Sequence, residues 1–547
     1  MENKKTYYSL VLVLILGLVF YFSIFDVQIF TKEPNYGVEQ SPPIEVEGGY
    51  GVSSSHPLAV KVGMDILEKG GNAVDAAIAI SYTLGVVEPY GSGIGGGGVM
   101  LVLENGSGRA KVYDYRETAP ISGQISPNYI GIPGFVKGME VLHEDFGSLP
   151  MEDLIQPAID LAKKGFKVDS YLNERLKAAA YRMPVAKLPH LYPDGEAIER
   201  NEILKQPELA KTLTIIRDKG SDAFYTGVIS ESILREVNSF TPVDLRNYSV
   251  VKSEAVYGKF GDLEVISAPP PVSGTTVIQS LQMAEILNLK STKNNEADFI
   301  HLTSEITKTA YRDRLSKVAD PAFYSGYAEE ILSIEYSKEL AKNISLNQLS
   351  EDYEMNDSIA DLEDHDNTTH FVVLDKYGNM VSATNTLGNF FGSGVYVDGF
   401  FLNSQLSNFS MSNTGINRAE PGKRPRSFIS PMILRNDDYL MGIGSPGGKR
   451  IPAVVSQVIL RHFYFDVPLQ EAIDHPRFYA EKDQIYVESV LSKKVLTDLR
   501  SRGYHVEVRK SPSFYGSVQA LVVNKKENKI YGGADKRRNG VWQVKKN

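Results

Sequence analysis

The sequence predicts an α+β fold in two pieces of unequal length. Helical periodicity dominates from about 150 to 235 and from about 277 to 345. Strand–turn–strand patterns take over at Thr368, as in FVVLD, KYGN and MVSATNT. Between the two lies EDYEMNDSIADLEDHD (351–366), acidic and weakly periodic, which reads as an exposed loop because it has little apolar surface to bury.

In chain order, Lys4 and Lys5 precede the run Tyr7–Phe25, nineteen residues without a charge. At 1.5 Å per residue it comes close to the roughly 30 Å hydrocarbon core of a bilayer. No small-residue cleavage site follows, so residues 1–25 are expected to be an uncleaved signal anchor, with the lysines inside and the rest of the chain extracellular. Residues 26–49 hold Pro34, Pro42, Pro43 and several acids, and read as a stalk. The globular part then begins near Tyr50. Leu58 to Lys69 is a helix stopped by Gly70-Gly71, and Ala73 to Val87 a second, ended by Pro89. GSGIGGGG (91–98) leads into a strand, VMLVLENG. A short strand stops at Pro269–Pro271, further strands lie near 440 and 485, and a hairpin runs from Val518 to about Gly533. The expected organisation is therefore 1–25 anchor, 26–49 stalk, 50–367 and 368–547.

Composition excludes several function classes. The 547 residues contain no cysteine, which removes disulfides, thiol catalysis and Cys-ligated metals together. A net charge of −9 argues against a nucleic-acid binder. That charge is unevenly spread: 368–547 holds 25 Lys+Arg and 15 Asp+Glu, a net of +10, and 1–367 carries −19. The basic piece fits either a polyanionic ligand or an interface with the acidic piece; charge alone favours the interface. Gly91, Gly93 and Gly96 match GxGxxG, but the motif leaves a helix and enters a strand, the reverse of a dinucleotide site. His365, Asp366 and His370 stand close together without any further zinc-type spacing, so no metal is expected.

The chemistry-bearing pattern surrounds Thr368. If DKYGN is a hairpin loop with Gly378 left-handed, Asp375 pairs with Asn379, and counting back sets Thr386 opposite Thr368. A bulge would move that register by one residue. A threonine freed at an N-terminus can use its own amine as base, and a second hydroxyl beside it can orient it or relay its proton. A plain Thr–Thr cross-strand pair explains the same residues. Gly444-Ser445-Pro446-Gly447-Gly448 follows an apolar strand, and its paired glycines let backbone N–H groups approach an oxygen closely.

Thr368-Thr369-His370 through Gln405, with GSPGG downstream, resembles the small-subunit signature of the γ-glutamyltranspeptidases. Upstream, SSSHPLAVKVGMDILEKGGNAVDAA, GVVEPYGSGIGGGG, DYRETAP and APPPVSG are similar to that family's large subunit. The resemblance runs from about residue 50 to the C-terminus. It implies an N-terminal-nucleophile hydrolase without a cofactor, a four-layer αββα sandwich, cut by itself between Asn367 and Thr368 into a large/small heterodimer. It implies Thr368 as nucleophile, Thr386 as its hydroxyl partner, and Gly447 and Gly448 as the oxyanion hole. Arg116, assisted by Ser427, would hold a glutamyl α-carboxylate, with Gln405 in the same pocket.

Three positions depart from the glutathione-cleaving branch: Gly388 replaces an Asn, Asn408 an Asp, and Phe428 a Ser. The Asp of that branch meets a free α-ammonium, a charge-assisted contact of about 1.5–3 kcal/mol. Inside poly-γ-glutamate each amine is acylated and each α-carboxylate free, so Asn408 suits the polymer. Arg424 and Arg426, with Lys423, Lys449 and Arg450, are expected to meet its carboxylates. The same departures, with TNTL (384–387), FFGSG (390–394), FFLNSQLSNF (400–409), PGKRPRSF (421–428) and RRNGVW (537–542), resemble the capsule-anchoring branch of the family. That resemblance implies transfer of a poly-γ-glutamate fragment to a cell-wall amine or to water, with Arg537 or Arg538 near the site. Two other readings stay open: a glutathione-type hydrolase, and an inactive membrane-tethered binder of wall or capsule.

Overall fold

A computed structural model describes residues 33–324, 330–350, 358 and 367–547. The expected anchor Tyr7–Phe25 lies outside these residues, as does the acidic loop apart from Ser358. Among the described residues no helix is long and apolar enough to cross a membrane. Met1–Asn35 forms a unit of its own, and Tyr36–Asn547 is the second unit.

Within that second unit, thirteen described strands make two facing sheets. In chain order they are β1 (Gly49–Ser54), β2 (Gly97–Leu103), β3 (Ala110–Asp114), β4 (Val251–Glu254), β5 (Val256–Phe260) and β6 (Leu263–Ser267). After these come β7 (Thr369–Leu374), β8 (Met380–Thr386), β9 (Met432–Arg435), β10 (Tyr439–Gly444), β11 (Gln519–Asn524), β12 (Lys529–Ala534) and β13 (Val541–Lys546). The first sheet has the order β13-β1-β7-β8-β2-β3-β4, and the second β12-β11-β10-β9-β6-β5. Helices α1 (Pro57–Glu68) and α2 (Ala73–Val87) cover the outer face of the first sheet. Helices α3 (Gly274–Ile286) and α5 (Ile451–Phe465) cover the second, and α4 (Glu296–Lys317) packs on α3. The result is helix, sheet, sheet, helix.

Alternation along β7 explains the layering. Phe371 and Val373 join the core under α1 and α2, whereas Val372 and Leu374 face the other sheet. All four are at most 2% exposed, so the strand reads as a continuous apolar run because both of its faces are buried. Each such side chain contributes about 1.5–3 kcal/mol by leaving water.

The α+β reading and the hairpin hold. Helix α2 has the bounds expected for it, opened by an Asn72–Asp75 capping box. The β7–β8 register runs Met380↔Leu374 through Asn385↔Thr369, without a bulge. Gly378 has φ +85 and the Asp375 N–H donates to the Asn379 carbonyl at 3.1 Å. The final strand β13 was not foreseen; it pairs with β1 from Gly49↔Lys546 to Ser54↔Val541. Within the expected stalk 26–49, residues 36–48 contact the rest of the second unit: Ile44 bridges to Ile530, and Gln543 Nε2 donates to the Glu39 carbonyl at 3.0 Å.

The pieces 50–367 and 368–547 are not separate domains. Strands β7 and β8 sit between β1 and β2, and the second sheet also mixes both pieces. Charge follows the same division. Arg435 pairs with Glu264, Arg502 with Asp298, Lys545 with Glu68 and Lys546 with Glu45. Part of the basic excess therefore faces the acidic piece, as the interface reading expected.

The sheets approach closely where glycines leave room. A Cβ on Gly442 would come within 2.5 Å of Val372, and one on Gly444 within 2.3 Å of the His370 ring. Both obstacles are buried side chains. Gly444→Ala should therefore cost about 1–3 kcal/mol of overpacking, read as a lower urea midpoint at unchanged slope. An unshifted midpoint would show that the sheets can part at no cost.

Candidate active site

Thr368 stands one residue before β7, and the hairpin register carries Thr386 to its side. The Thr368 Oγ1 lies 3.4 Å from the Thr386 Oγ1. Thr386 donates to the Asn367 carbonyl at 3.0 Å and accepts the Gly388 N–H at 3.0 Å. Thr368 Oγ1 also donates to that carbonyl, which belongs to its own peptide bond. Two hydroxyls thus converge on one buried carbonyl oxygen. Hydrogen bonds of this kind polarise the carbon toward a nucleophile, and the nearer hydroxyl is itself one.

Around this pair a cavity is lined by Asn367, Thr368, Thr386, Gly388, Gln405, Ser407, Asn408, Ser427, Phe428, Ile429, Gly448, Lys449 and Ile451. Gln405, Ser407 and Asn408 reach it from a short 3-10 turn. Gln405 is 2% exposed, and its Oε1 has no hydrogen-bond partner among the described residues. An amide acceptor placed so is available to an N–H donor. Asn408 spends its Nδ2 on the Gln405 carbonyl at 3.2 Å, which turns its other atom, an acceptor, to further use. Gly448 forms the wall where the chain leaves β10; Gly447 beside it has φ +135 and Gly448 +55, conformations that favour glycine. The Phe428 ring is clamped by the Arg314 guanidinium at 3.7 Å and by Tyr311 at 5.4 Å. Gly388 has φ +88, and a Cβ there would lie 2.7 Å from the Ser404 Oγ, so this loop is shaped for glycine.

The family is decided by comparison with known proteins. The model of the family described as Gamma-glutamyltranspeptidase matches residues 59–544. The chain belongs to the γ-glutamyltranspeptidase family. A capsule biosynthesis protein, the CapD proenzyme of Bacillus anthracis, is 43% identical over 93% of this chain and 91% of its own. The glutathione hydrolase proenzyme of Bacillus subtilis (strain 168) is 32% identical over 93% of this chain and 94% of its own. Among solved structures, the cephalosporin acylase of Bacillus halodurans superposes with a TM-score of 0.83 at 26% identity, covering 94% of this chain and 99% of that one. The fold is thus that of the N-terminal-nucleophile hydrolases, and this γ-glutamyltranspeptidase is a γ-glutamyl transferase/hydrolase.

Not every residue singled out in the sequence reaches the cavity. Arg116 is wholly buried behind it; its Nε and Nη2 donate to Asp114, and its Nη1 to the Pro425 carbonyl at 2.9 Å. Burial of Asp114 is outweighed by the Arg116 and Arg424 charges, which hold its carboxyl below the usual range. Ser427 does line the cavity. Arg424 and Arg426, expected on the substrate, are instead structural. Arg424 donates to the Ser249 carbonyl and lies 3.6 Å from Asp114; Arg426 donates to the Leu315 carbonyl at 2.7 Å. Lys423 is 1% exposed and pairs with Glu420, and Arg450 stacks on Phe514 at 4.0 Å. The physical reason is that 421–428 threads between the two pieces of the chain, where a guanidinium meets carbonyls and carboxylates before it meets solvent. Lys449 remains in the wall, bridged to Glu481 at 2.9 Å.

Of the two terminal arginines, Arg538 donates through Nη1 to the Thr368 carbonyl at 3.0 Å, whereas Arg537 is bound to Glu488 and Asp535. Nothing in the local sequence pattern pointed to the other buried groups near Arg538. Glu88, next to the end of α2, accepts from the Ser55 Oγ at 3.0 Å. Burial pushes its carboxyl up to about 7, against the lowering effects of Ser55 and Arg538. His370 is buried and neutral, driven down to about 3 by desolvation, with Nδ1 on the Thr384 Oγ1 at 2.9 Å. His365 and Asp366 fall outside the described residues, among which no group of three metal-ligating side chains occurs. The glycines 91, 93 and 96 link α2 to β2, the helix-to-strand order noted above.

The Glu88 shift has a thermodynamic consequence. Between about pH 4.5 and 7 the folded chain keeps a proton that the unfolded chain releases, so stability falls as pH rises through that window. Glu88→Gln should flatten this part of the stability–pH curve, measured by urea unfolding from pH 4.5 to 8. An unchanged slope would place the titration elsewhere.

Proposed function

We propose that this enzyme is a self-cleaving γ-glutamyl acyltransferase/hydrolase that cuts poly-γ-glutamate through a Thr368 acyl-enzyme, transferring the fragment to a cell-wall amine or to water. The single observation that carries the donor class is the cavity lining, which contains no carboxylate side chain. A free α-ammonium would find no counter-charge there, whereas an acylated nitrogen needs only a neutral acceptor such as Asn408 or the Gln405 Oε1. The likeness to a protein named for capsule biosynthesis supports the same reading. The apolar run at the N-terminus supports a membrane-tethered enzyme with its catalytic part outside the cell.

The maturation step uses the hydroxyl pair. The Thr368 Oγ attacks the Asn367 carbonyl carbon while the Thr386 hydroxyl donates to its oxygen. The C–N bond breaks as its nitrogen takes a proton, and the ester left behind is hydrolysed. Thr368 then carries a free α-amine, which serves as base for its own hydroxyl. In turnover the same Oγ attacks the γ-carbonyl of the donor, with the developing oxyanion directed at the Gly447 and Gly448 N–H groups. The amine of the leaving fragment departs with the proton, and an incoming amine or water resolves the acyl-enzyme. Arg116, through Asp114 and the Pro425 carbonyl, braces the extended segment that bears Ser427.

The test uses purified protein with poly-γ-glutamate and, separately, glutathione, following polymer size and released glutamate. Shortening of the polymer with little glutathione turnover is expected; the reverse would make this a glutathione-type hydrolase. Thr368→Ala should abolish both chain cleavage and turnover, because one hydroxyl serves both, and normal processing in that variant would sink the assignment. Asn408→Asp should raise kcat/KM on glutathione about tenfold or more, as expected for a regained charge-assisted contact. No change there would remove the argument about position 408.

A further inference from the structure

With Arg424 and Arg426 committed to structural contacts, the anionic units of a long donor need another partner. Arg175, on the helix Ser170–Ala179, is half-buried between two rings. Its guanidinium carbon lies 4.5 Å from the Tyr171 ring centroid and 4.3 Å from that of Phe390. The buried Nε has no hydrogen-bond partner among the described residues. Rings on a guanidinium exclude water from its faces and hold its plane, while the N–H donors stay at the edge, where they match a carboxylate.

Both rings tie this arginine to the nucleophile. Tyr171 also carries the Arg538 guanidinium, 5.0 Å from its centroid, and Arg538 holds the Thr368 carbonyl. Phe390 follows Gly388 and Asn389, against which the Asn367 side chain rests: its Nδ2 is 3.4 Å from the Gly388 carbonyl and 3.3 Å from the Asn389 Oδ1. Asn367 supplies the acyl group in self-cleavage, so the acyl side of Thr368 opens toward 388–390.

We propose that Arg175, stacked between Tyr171 and Phe390, is a subsite for a second carboxylate of the donor, one γ-glutamyl unit or more beyond the bond that is cut. This rests on the acyl donor being a γ-glutamyl polymer. It makes the large piece of the chain, through one arginine, the part that measures donor length.

The experiment compares N-acetylated tri-γ-glutamate with N-acetyl-γ-glutamyl-p-nitroanilide, two donors that both lack a free ammonium. The ratio of their kcat/KM values is taken for the wild type, Arg175→Gln and Arg175→Lys. Arg175→Gln should lower the trimer-to-anilide ratio about tenfold, chiefly through KM, and Arg175→Lys should recover part of it. In the wild type the ratio should fall with added salt, and in Arg175→Gln it should not. A variant that merely loosens the loop would slow both donors and leave the ratio alone, and that outcome overturns the proposal. A wild type that prefers the trimer while Arg175→Gln keeps the same preference sinks the subsite only. A wild type that uses glutathione and neither acetylated donor sinks the polymer reading, and the subsite with it.

Discussion

The structure depends on the register of one hairpin. Because side chains in a strand alternate with a period of two, a slip of one residue between β7 and β8 would send Thr386 to the wrong face and Phe371 out of its core. Several contacts hold that register. Asp375 closes the turn, with its Oδ1 accepting from the Tyr377 and Asn379 N–H groups, and its Oδ2 accepts the Ala73 N–H at the start of α2. Asn385, buried in β8, is satisfied by the Tyr115 hydroxyl on one side and the Ser81 Oγ on the other. A slipped hairpin would leave these polar groups unpaired in a dry core, at a cost of about 1–3 kcal/mol each. The hydroxyl pair at the far end is thus positioned by contacts made along the whole ladder.

Placing β7 and β8 in the middle of a sheet has a second effect. Strands on both sides come from the part of the chain before Thr368, so a cut at that residue would leave both pieces hydrogen-bonded along two ladders. Such pairing would keep a terminus made at Thr368 in the place where it was made. Arg538 on the Thr368 carbonyl and Arg116 on Asp114 each carry a charge that only a specific partner makes tolerable in the interior.

Local signals therefore proved reliable where the physics is local. Helix α2 was legible from the apolar run between Gly70-Gly71 and Pro89, and the hairpin from DKYGN and the apolar run before it. Strand β13 was missed because VWQVKK is short and charged at its end, and becomes a strand only by pairing with β1, some five hundred residues away in the chain. The basic run Lys423–Arg426 was misjudged for the same reason: composition gives the sign of a charge but not what stands opposite it.

By itself the sequence determined that Thr386 falls beside Thr368 and that paired glycines stand at the turn after β10, because these follow from residue identity and from counting along one hairpin; the reading of Asn408 came from the family resemblance. Tertiary structure alone decided which cations face the cavity, that Gln405 presents an acceptor unpaired among the described residues, that Phe428 forms an aromatic wall under Arg314, and that Arg175 lies between two rings, one of which also carries Arg538. Those facts depend on contacts between segments far apart in the chain, and the free energy of a charge or an amide depends on its surroundings as much as on its kind.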